Sequence, residues 1–411
     1  MSPAVATAVR RHSLVWLVAA NLVGLLLAAL LLWPELNDRL APLTYGRWVP
    51  LHLDWQLYGW CALPLVGVLL KYYLPEDARG DFAARLALWS WSLALMVGGA
   101  SWLGGHASGK LFLDWAGGAR FAWSLALLIL WLVLFTQTRR RGMNPWWVTA
   151  LLGVLLVVPF LMYWAAGAGI YPSVNPGSGG ATGASLLGST LGVMVIVGLL
   201  PLLLRLGPGA GPRAGRIFVL GLVLTFSYFA GIDHGNASHH RPDQILGLVI
   251  LLLWVPLAWV YVRSFSWTPD SRRWLGAAFV WWLLLAITGL LTFLPGISER
   301  LKFTNALVAH SHLAMAGLVT CLHVAILLNL GPVRPPRVGT FWGWQLGCAV
   351  HVAALSWLGW REGADPAVLY LRGGLADWCY GLRLAAGLVM FTASFLWLCD
   401  MGRKPDDPQK T

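Results

Sequence analysis

The chain has 411 residues, of which 58% are hydrophobic and only 11% are charged, and its mean hydropathy is +0.67. This composition excludes a soluble globular domain and indicates a protein that crosses a membrane many times. A formal net charge of +12 is also common among nucleic-acid-binding proteins, but the distribution of the basic residues, described below, excludes that class.

Twelve hydrophobic runs in the sequence are long enough to cross the apolar core of a bilayer. The runs are residues 14–33, 50–74, 82–104, 119–137, 145–168, 183–206, 215–234, 244–262, 274–295, 304–330, 338–360 and 380–400. The connections between them are mostly short. The sequence therefore predicts an all-α membrane protein, in which residues 1–411 form a single domain that is a bundle of twelve transmembrane helices.

Basic residues accumulate at one end of the predicted helices. If the N-terminus is inside, the two termini and every second loop hold most of the 29 basic residues, and the opposite face has no net charge. This pattern follows the positive-inside rule and predicts that both termini are cytoplasmic. The basic excess then orients the protein in the lipid bilayer, and we expect a bacterial inner-membrane location and no nucleic-acid partner.

Three histidines lie near the predicted outer ends of helices two and ten. Helix two begins with residues 47–52 and places His52 near the outer surface, and helix ten has His310 and His312 at a similar depth. Residues two apart in a helix diverge by about 200°, so His310 and His312 face opposite flanks and cannot share a metal. Each can supply an axial imidazole to a separate heme. Taken alone, each histidine can equally be an interfacial or hydrogen-bonded packing residue.

The helix count and these histidines resemble the catalytic subunit of the heme–copper oxidase superfamily, in particular the C-family cytochrome oxidases and the nitric oxide reductases. The resemblance covers essentially the whole chain. It implies that His52 and His312 bind a low-spin heme b, and that His310 binds a high-spin heme b, where substrate reacts in the family. Near the outer face, Arg372 and Arg383 are expected either to neutralise heme propionates or to be plain surface arginines.

The chain departs from the family where the family binds copper. Residues 171–183, at the start of helix six, contain no His, Glu or Cys, whereas the oxidases have a copper-ligating histidine there. At the end of helix seven, where the family has two adjacent histidines, the first is replaced by Asp233 and only His234 remains; these two are the candidates for a second metal, with His239 and His240 as an alternative pair. One imidazole with one carboxylate binds copper poorly, so we expect no copper. We expect Asp233 to pair with a cation such as Arg241.

The other histidines and the cysteines are predicted to be structural. His323 and His351 lie deeper in helices ten and eleven, where we expect buried, hydrogen-bonded residues with no histidine partner at their depth. His106 lies in a glycine-rich loop and is expected to be solvated. The five cysteines form no C-x-x-C pair, so we expect small buried residues rather than a thiolate metal cluster.

These features predict a heme b-binding electron-transfer subunit of a respiratory complex, related to the oxidase catalytic subunit but without the copper site. No cupredoxin or cytochrome c domain is present in the sequence, so we expect an electron-donating partner subunit linked to cytochrome c or quinol. One alternative is an active terminal oxidase or nitric oxide reductase with a rebuilt second metal site. The other is a heme-free transporter, for which the inverted repeats are missing.

Overall fold

The protein is described by a computed structural model for residues 1–142, 146–209 and 213–402. Twelve long helices follow one another in these ranges. They are α1 (Pro3–Leu32), α2 (Tyr45–Tyr73), α3 (Ala78–Leu103), α4 (Gly117–Arg141), α5 (Trp146–Ala165), α6 (Gly183–Leu203), α7 (Arg213–Gly231), α8 (Pro242–Arg263), α9 (Pro269–Phe293), α10 (Asn305–Asn329), α11 (Val338–Ala364) and α12 (Leu375–Met401). By length and composition, all except α11 can cross a membrane, which makes eleven candidate spans. The predicted all-α class is therefore confirmed, whereas the count of twelve spans and the cytoplasmic termini stay predictions.

Two of the long helices contain a stretch of π-helix. In α2 it covers Trp55–Cys61 and in α10 it covers Leu313–Val319, so each begins just after a predicted heme ligand. Pro64 has no N–H to donate to the carbonyl of Trp60, which weakens the regular α-helical pattern in α2. A π-helical turn changes the direction of the following side chains and is frequent at functional sites.

The chain divides into two compact units, of which the first contains Met1–Ile170, Ile326–Gly347 and the residues from Leu384 onward. Its core includes the fully buried indoles of Trp60, Trp102 and Trp115. Arg10 is also fully buried, and its guanidinium donates hydrogen bonds to the carbonyls of Leu327 (3.3 Å) and Gly331 (2.8 Å). These bonds satisfy donors of a buried cation, whose burial is otherwise costly.

The second unit contains Tyr171–Ala325 and Cys348–Arg383. Glycine at Gly183 lets α6 approach the backbone of α8 at Gln244, where a side chain on Gly183 would collide with the carbonyl. In the same way, Gly359 of α11 lies against the backbone of Ala306 in α10. The glycine at Gly359 thus holds α10, which carries His310 and His312, at close range to α11.

Four of the five cysteines are buried, as predicted, and Cys399 is only partly buried.

Candidate functional site

A cavity of about 390 Å³ lies within the second unit and is lined by residues of α6, α8, α9 and α10 and of the adjoining loops. Most of its wall is apolar. Its basic side chains are His310 of α10, His239 of the loop before α8, and Lys302 of the loop before α10. An apolar cavity with a few convergent polar groups is the usual form of a cofactor site.

His310 is held in this wall by a threonine of α9. Its Nδ1 lies 3.1 Å from the hydroxyl of Thr288, and this hydroxyl can donate its single proton to the carbonyl of Leu284 at 2.9 Å. In that arrangement the hydroxyl accepts from Nδ1–H, and Nε2 carries the lone pair that a heme iron needs. A Cβ on Gly289 would lie 3.2 Å from Cε1 of His310, so glycine gives the ring its room.

His312 is oriented by its own helix. Its Nδ1 lies 2.8 Å from the carbonyl oxygen of Val308. Because a carbonyl can only accept, Nδ1 carries a proton, and in the neutral ring the lone pair is then on Nε2. The His312 ring centroid is 4.2 Å from that of His351, which is 5% exposed. The prediction that no histidine lies at the depth of His351 is therefore wrong. It failed because helix periodicity does not give the register between α10 and α11.

His52, in the first unit, has the same arrangement. Its Nδ1 lies 2.8 Å from the carbonyl oxygen of Ala20 in α1, so Nδ1 donates, and in the neutral ring Nε2 carries the lone pair. A Cβ on Gly24 would lie 2.7 Å from Cε1 of His52, closer than real side chains approach. The α1 surface is thus shaped around this imidazole.

The donor chemistry of the three histidines fits heme iron. Ligating histidines normally donate their second ring N–H to a protein oxygen, which fixes the tautomer and the ring orientation. All three have this bond, and each is partly buried. His323 makes a similar bond to Val319 and is 4% exposed, which confirms it as a buried hydrogen-bonded residue. The bond is therefore required of a ligand but does not identify one. His52 and His312 belong to different units, so their pairing stays a prediction.

A buried carboxylate holds the start of α10. Glu362 of α11 is 4% exposed, and its carboxylate accepts hydrogen bonds from the backbone N–H of Asn305 (2.7 Å) and from the side-chain amide of Asn305 (2.5 Å). Thr304 accepts from the N–H of Ala306 at 3.2 Å. These acceptors satisfy N–H groups that have no partner within the helix, and the negative charge suits the helix dipole. This anchor lies at the start of the helix that carries His310 and His312.

The predicted second-metal residues lie in an exposed loop. Asp233 accepts a 2.7 Å ion-pair hydrogen bond from Arg241, as predicted, and Arg241 also pairs with Asp243. His234 is exposed and packs edge-on against Phe229. Neither Asp233 nor His234 lines the cavity that contains His310.

His239 does line that cavity. It is 4% exposed, its ring is stacked 3.6 Å from that of Phe293, and its Nε2 lies 3.1 Å from the carbonyl of Ala181. Nε2 therefore carries the proton, and Nδ1 has no hydrogen-bond partner among the described residues. Burial lowers the pKa of this imidazole and that of the Lys302 ammonium. His240, the other member of the alternative pair, is exposed.

No group of three or more His, Cys, Asp or Glu side chains that could hold a metal ion is found in residues 1–142, 146–209 and 213–402.

The predicted propionate partners differ in exposure. Arg383 is 8% exposed, whereas Arg372 is exposed and lies 3.6 Å from the carboxylate of Asp377. Lys110 donates to the carbonyls of Ala165 (2.8 Å) and Ile170 (2.6 Å), and so caps the end of α5. Arg383 and Lys110 are thus buried and Arg372 is exposed, and the propionate roles of Arg372 and Arg383 stay predictions.

One buried acid was not predicted from the sequence. Asp54 of α2 is fully buried, and neither of its carboxylate oxygens has a hydrogen-bond partner in the described part of the chain. An ionisable residue inside a membrane helix is costly and marks a functional position by default. The sequence feature that could have identified Asp54 is its position in an apolar run, two residues after His52.

No protein-family model matches the chain. The bacteroid cytochrome c oxidase subunit 1 homolog of Bradyrhizobium diazoefficiens is 23% identical over 385 residues, which cover 83% of this chain and 69% of that protein. The Cbb3-type cytochrome c oxidase subunit CcoN1 of Stutzerimonas stutzeri is 23% identical over 406 residues, covering 87% of this chain and 82% of that protein. A heme–copper terminal oxidase solved by cryo-EM as a dimer has a TM-score of 0.51 and 13% identity, with 97% of this chain and 84% of that chain covered.

Proposed function

We propose, from the relationship of this chain to the catalytic subunit of the heme–copper oxidases, that it is a heme b-binding electron-transfer subunit of a respiratory membrane complex. The predicted resemblance to that superfamily is confirmed, and the chain is an integral membrane protein with a heme–copper oxidase-like fold. The cofactors, the residue roles and the electron-transfer activity are the proposal.

In this proposal, His52 and His312 bind a low-spin heme b, and His310 binds a high-spin heme b. The observation that carries it is the similarity of the chain to the oxidase subunits, and the anchoring of the three imidazoles, whose Nδ1 atoms lie within hydrogen-bond distance of Ala20, Val308 and Thr288, is compatible with it. The hemes would supply one-electron chemistry. The protein's part is to fix the imidazoles, to exclude water with the apolar cavity wall, and to neutralise propionates, for which Arg383 is the buried candidate and Arg372 the exposed one.

We further propose that the site does not bind stoichiometric copper. Copper favours about three imidazole ligands. Besides His310, His239 is the imidazole that lines the cavity among the described residues, and Asp233 is engaged by Arg241. This donor set is too small for a stable copper site.

The second candidate is an active oxidase or nitric oxide reductase with a rebuilt metal site. His239 favours it, because it is buried in the same cavity as His310 and its Nδ1 has no hydrogen-bond partner among the described residues. A metal at this position would take Nδ1 of His239, with the remaining ligands supplied by groups other than Asp233 and His234, which do not line the cavity.

The experiment compares ligand variants in purified full-length protein. His52→Ala and His312→Ala should each abolish the low-spin heme spectrum, because a six-coordinate iron that loses one imidazole becomes five-coordinate. His106→Ala, in an exposed loop, is the matched control and should leave both hemes unchanged. An intact low-spin spectrum in either ligand variant would remove that residue from the site. One equivalent of copper or non-heme iron per chain, together with oxygen or nitric oxide turnover, would favour the second candidate.

The remaining elements of the proposal concern the setting of the chain. We propose a bacterial inner-membrane location with cytoplasmic termini, twelve membrane spans in a single domain, and an electron-donating partner linked to cytochrome c or quinol. The bacterial relatives and the eleven apolar helices support the location.

A further inference from the structure

A groove on the first unit combines two arginines with an apolar floor. Its volume is about 850 Å³, and it runs between α1 and α3. Arg11, Val15 and Ala19 line it from α1, and Arg85, Trp89 and Met96 line it from α3. None of these residues belongs to the proposed heme sites.

Each helix contributes one stripe of groove residues, in which an arginine is followed by apolar residues. On α1 the groove residues are spaced by four, and on α3 by four and seven, so each set lies on one helix face. Both helices begin on the same side of the bundle, because they are the first and third of consecutive spans. The imidazole of His12 and the indole N–H of Trp16 both bond to the hydroxyl of Ser92, which fixes the two helices side by side.

The arginines lie at one end of the groove, near the membrane surface. The 30 residues of α1 and the 26 residues of α3 extend for about 45 and 39 Å, longer than the roughly 30 Å hydrocarbon core. The apolar run at 14–33 begins after Arg11, and the part of α3 that follows Arg85 is about 27 Å long, close to the thickness of the hydrocarbon core, so both arginines lie near the lipid headgroups. From there, the apolar residues extend along the helices toward the bilayer centre.

The two exposed guanidinium groups of this groove favour an anionic ligand. Arg11 and Arg85 are exposed, and neither makes an ion pair with an acidic side chain in the described part of the chain. The apolar side chains beside them are also uncovered, with Trp89 exposed by 61%, Met96 by 49% and Val15 by 42%. A ligand that is complementary to both the arginines and the apolar side chains must have an anionic head and an apolar tail.

We propose that this groove binds an anionic phospholipid. Its phosphodiester would be held by Arg11 and Arg85, since guanidinium groups bind phosphate with paired hydrogen bonds. Its acyl chains lie along Val15 and Ala19 on one side and Trp89 and Met96 on the other. Basic pockets between membrane helices on the cytoplasmic side commonly recognise such headgroups, and the predicted topology places this one on that side. The inference is independent of heme binding.

The test is native mass spectrometry of the full chain in its purified complex, titrated with phosphatidylglycerol or with phosphatidylcholine of the same acyl composition. The wild type should retain phosphatidylglycerol at least tenfold more strongly than phosphatidylcholine. The double variant Arg11→Gln/Arg85→Gln should weaken phosphatidylglycerol retention by about thirtyfold, the loss expected for two arginines near a membrane surface. The control Arg213→Gln/Arg216→Gln removes the same charge at the start of α7 and should change nothing.

A variant in the wall of the groove distinguishes lipid binding in the groove from a general effect of surface charge. Val15→Trp keeps both arginines and places a larger ring over the groove from an exposed position, so lipid retention should fall while the fold is preserved. Equal binding of the two lipids, equal loss in the control, or no loss in both groove variants would overturn the proposal. Crosslinking of this groove to an acidic partner segment, with no lipid retained, would also overturn it.

Discussion

The substitution Gly24→Ala should displace His52 while leaving the protein folded. The added Cβ would lie 2.7 Å from Cε1 of His52. Carbon atoms prefer a separation of about 3.5 Å or more, so the ring would have to withdraw by roughly 0.8 Å. The ring is the far end of a side chain and can move, but its bond to the Ala20 carbonyl at 2.8 Å would be strained or lost.

The expected result is a selective loss of the low-spin heme. Ligand constellations tolerate about 0.5 Å of misplacement, and loss of an oriented hydrogen bond to a ligating histidine typically weakens metal affinity by about 10- to 100-fold. Stability should change by only about 1 kcal/mol, the net worth of one hydrogen bond. Low-temperature optical spectra and magnetic circular dichroism of the reduced and oxidised protein measure the low-spin component.

The matched control is Gly153→Ala in α5. Its Cβ meets no atom within 4 Å, and it brings the same gain in helix propensity as alanine at Gly24. Its low-spin spectrum should equal that of the wild type. If Gly24→Ala kept a full low-spin signal in folded protein, the packing of α1 around a ligating His52 would be refuted.

Further substitutions test the second unit. His310→Ala should remove the high-spin heme and spare the low-spin heme, because the two imidazoles leave α10 on opposite flanks; loss of both signals from folded protein would show that the ligands were paired incorrectly. In Gly289→Ala the added Cβ would lie 3.2 Å from His310, so carbon monoxide binding to the high-spin heme should weaken, but less than in His310→Ala. Its control is Gly276→Ala, where the added Cβ meets open space. Glu362→Ala should lower the free energy of unfolding by about 1–3 kcal/mol, because buried N–H groups of α10 lose their acceptor; an unchanged denaturation midpoint would contradict this anchor. Asp233→Asn should change stability by less than about 1 kcal/mol and leave the heme content unchanged, since the side chains of its ion pair are 49% and 39% exposed; loss of a bound metal in this variant would restore Asp233 as a ligand.

The sequence was sufficient for the features that depend on hydrophobicity and on local chemistry. Apolar runs predicted the membrane helices, and the cost of burying a free anion predicted the ion pair of Asp233 with Arg241. The hydrophobic run at 14–33 did not give the start of α1 at Pro3, because the first turns of this helix extend beyond the apolar segment.

Features that depend on packing between helices could not be predicted. The contact of His351 with His312 and the anchoring of α10 by Glu362 depend on the register between α10 and α11. The π-helical stretches after His52 and His312 have no clear hydrophobic pattern, although Pro64 was a local signal in α2. The sequence offers His239 only as one half of an alternative histidine pair, because it does not show which loop residues fold into the cavity.

The central claim is that this chain binds two hemes b through its own histidines, and the heme-to-protein ratio of the purified full-length chain tests it most directly. Pyridine hemochrome spectra combined with quantitative amino-acid analysis should give two hemes b per chain, of which one binds carbon monoxide after reduction. A folded, membrane-extracted protein with no heme absorbance would contradict the claim, and a single heme would contradict the separate roles of His310 and His312.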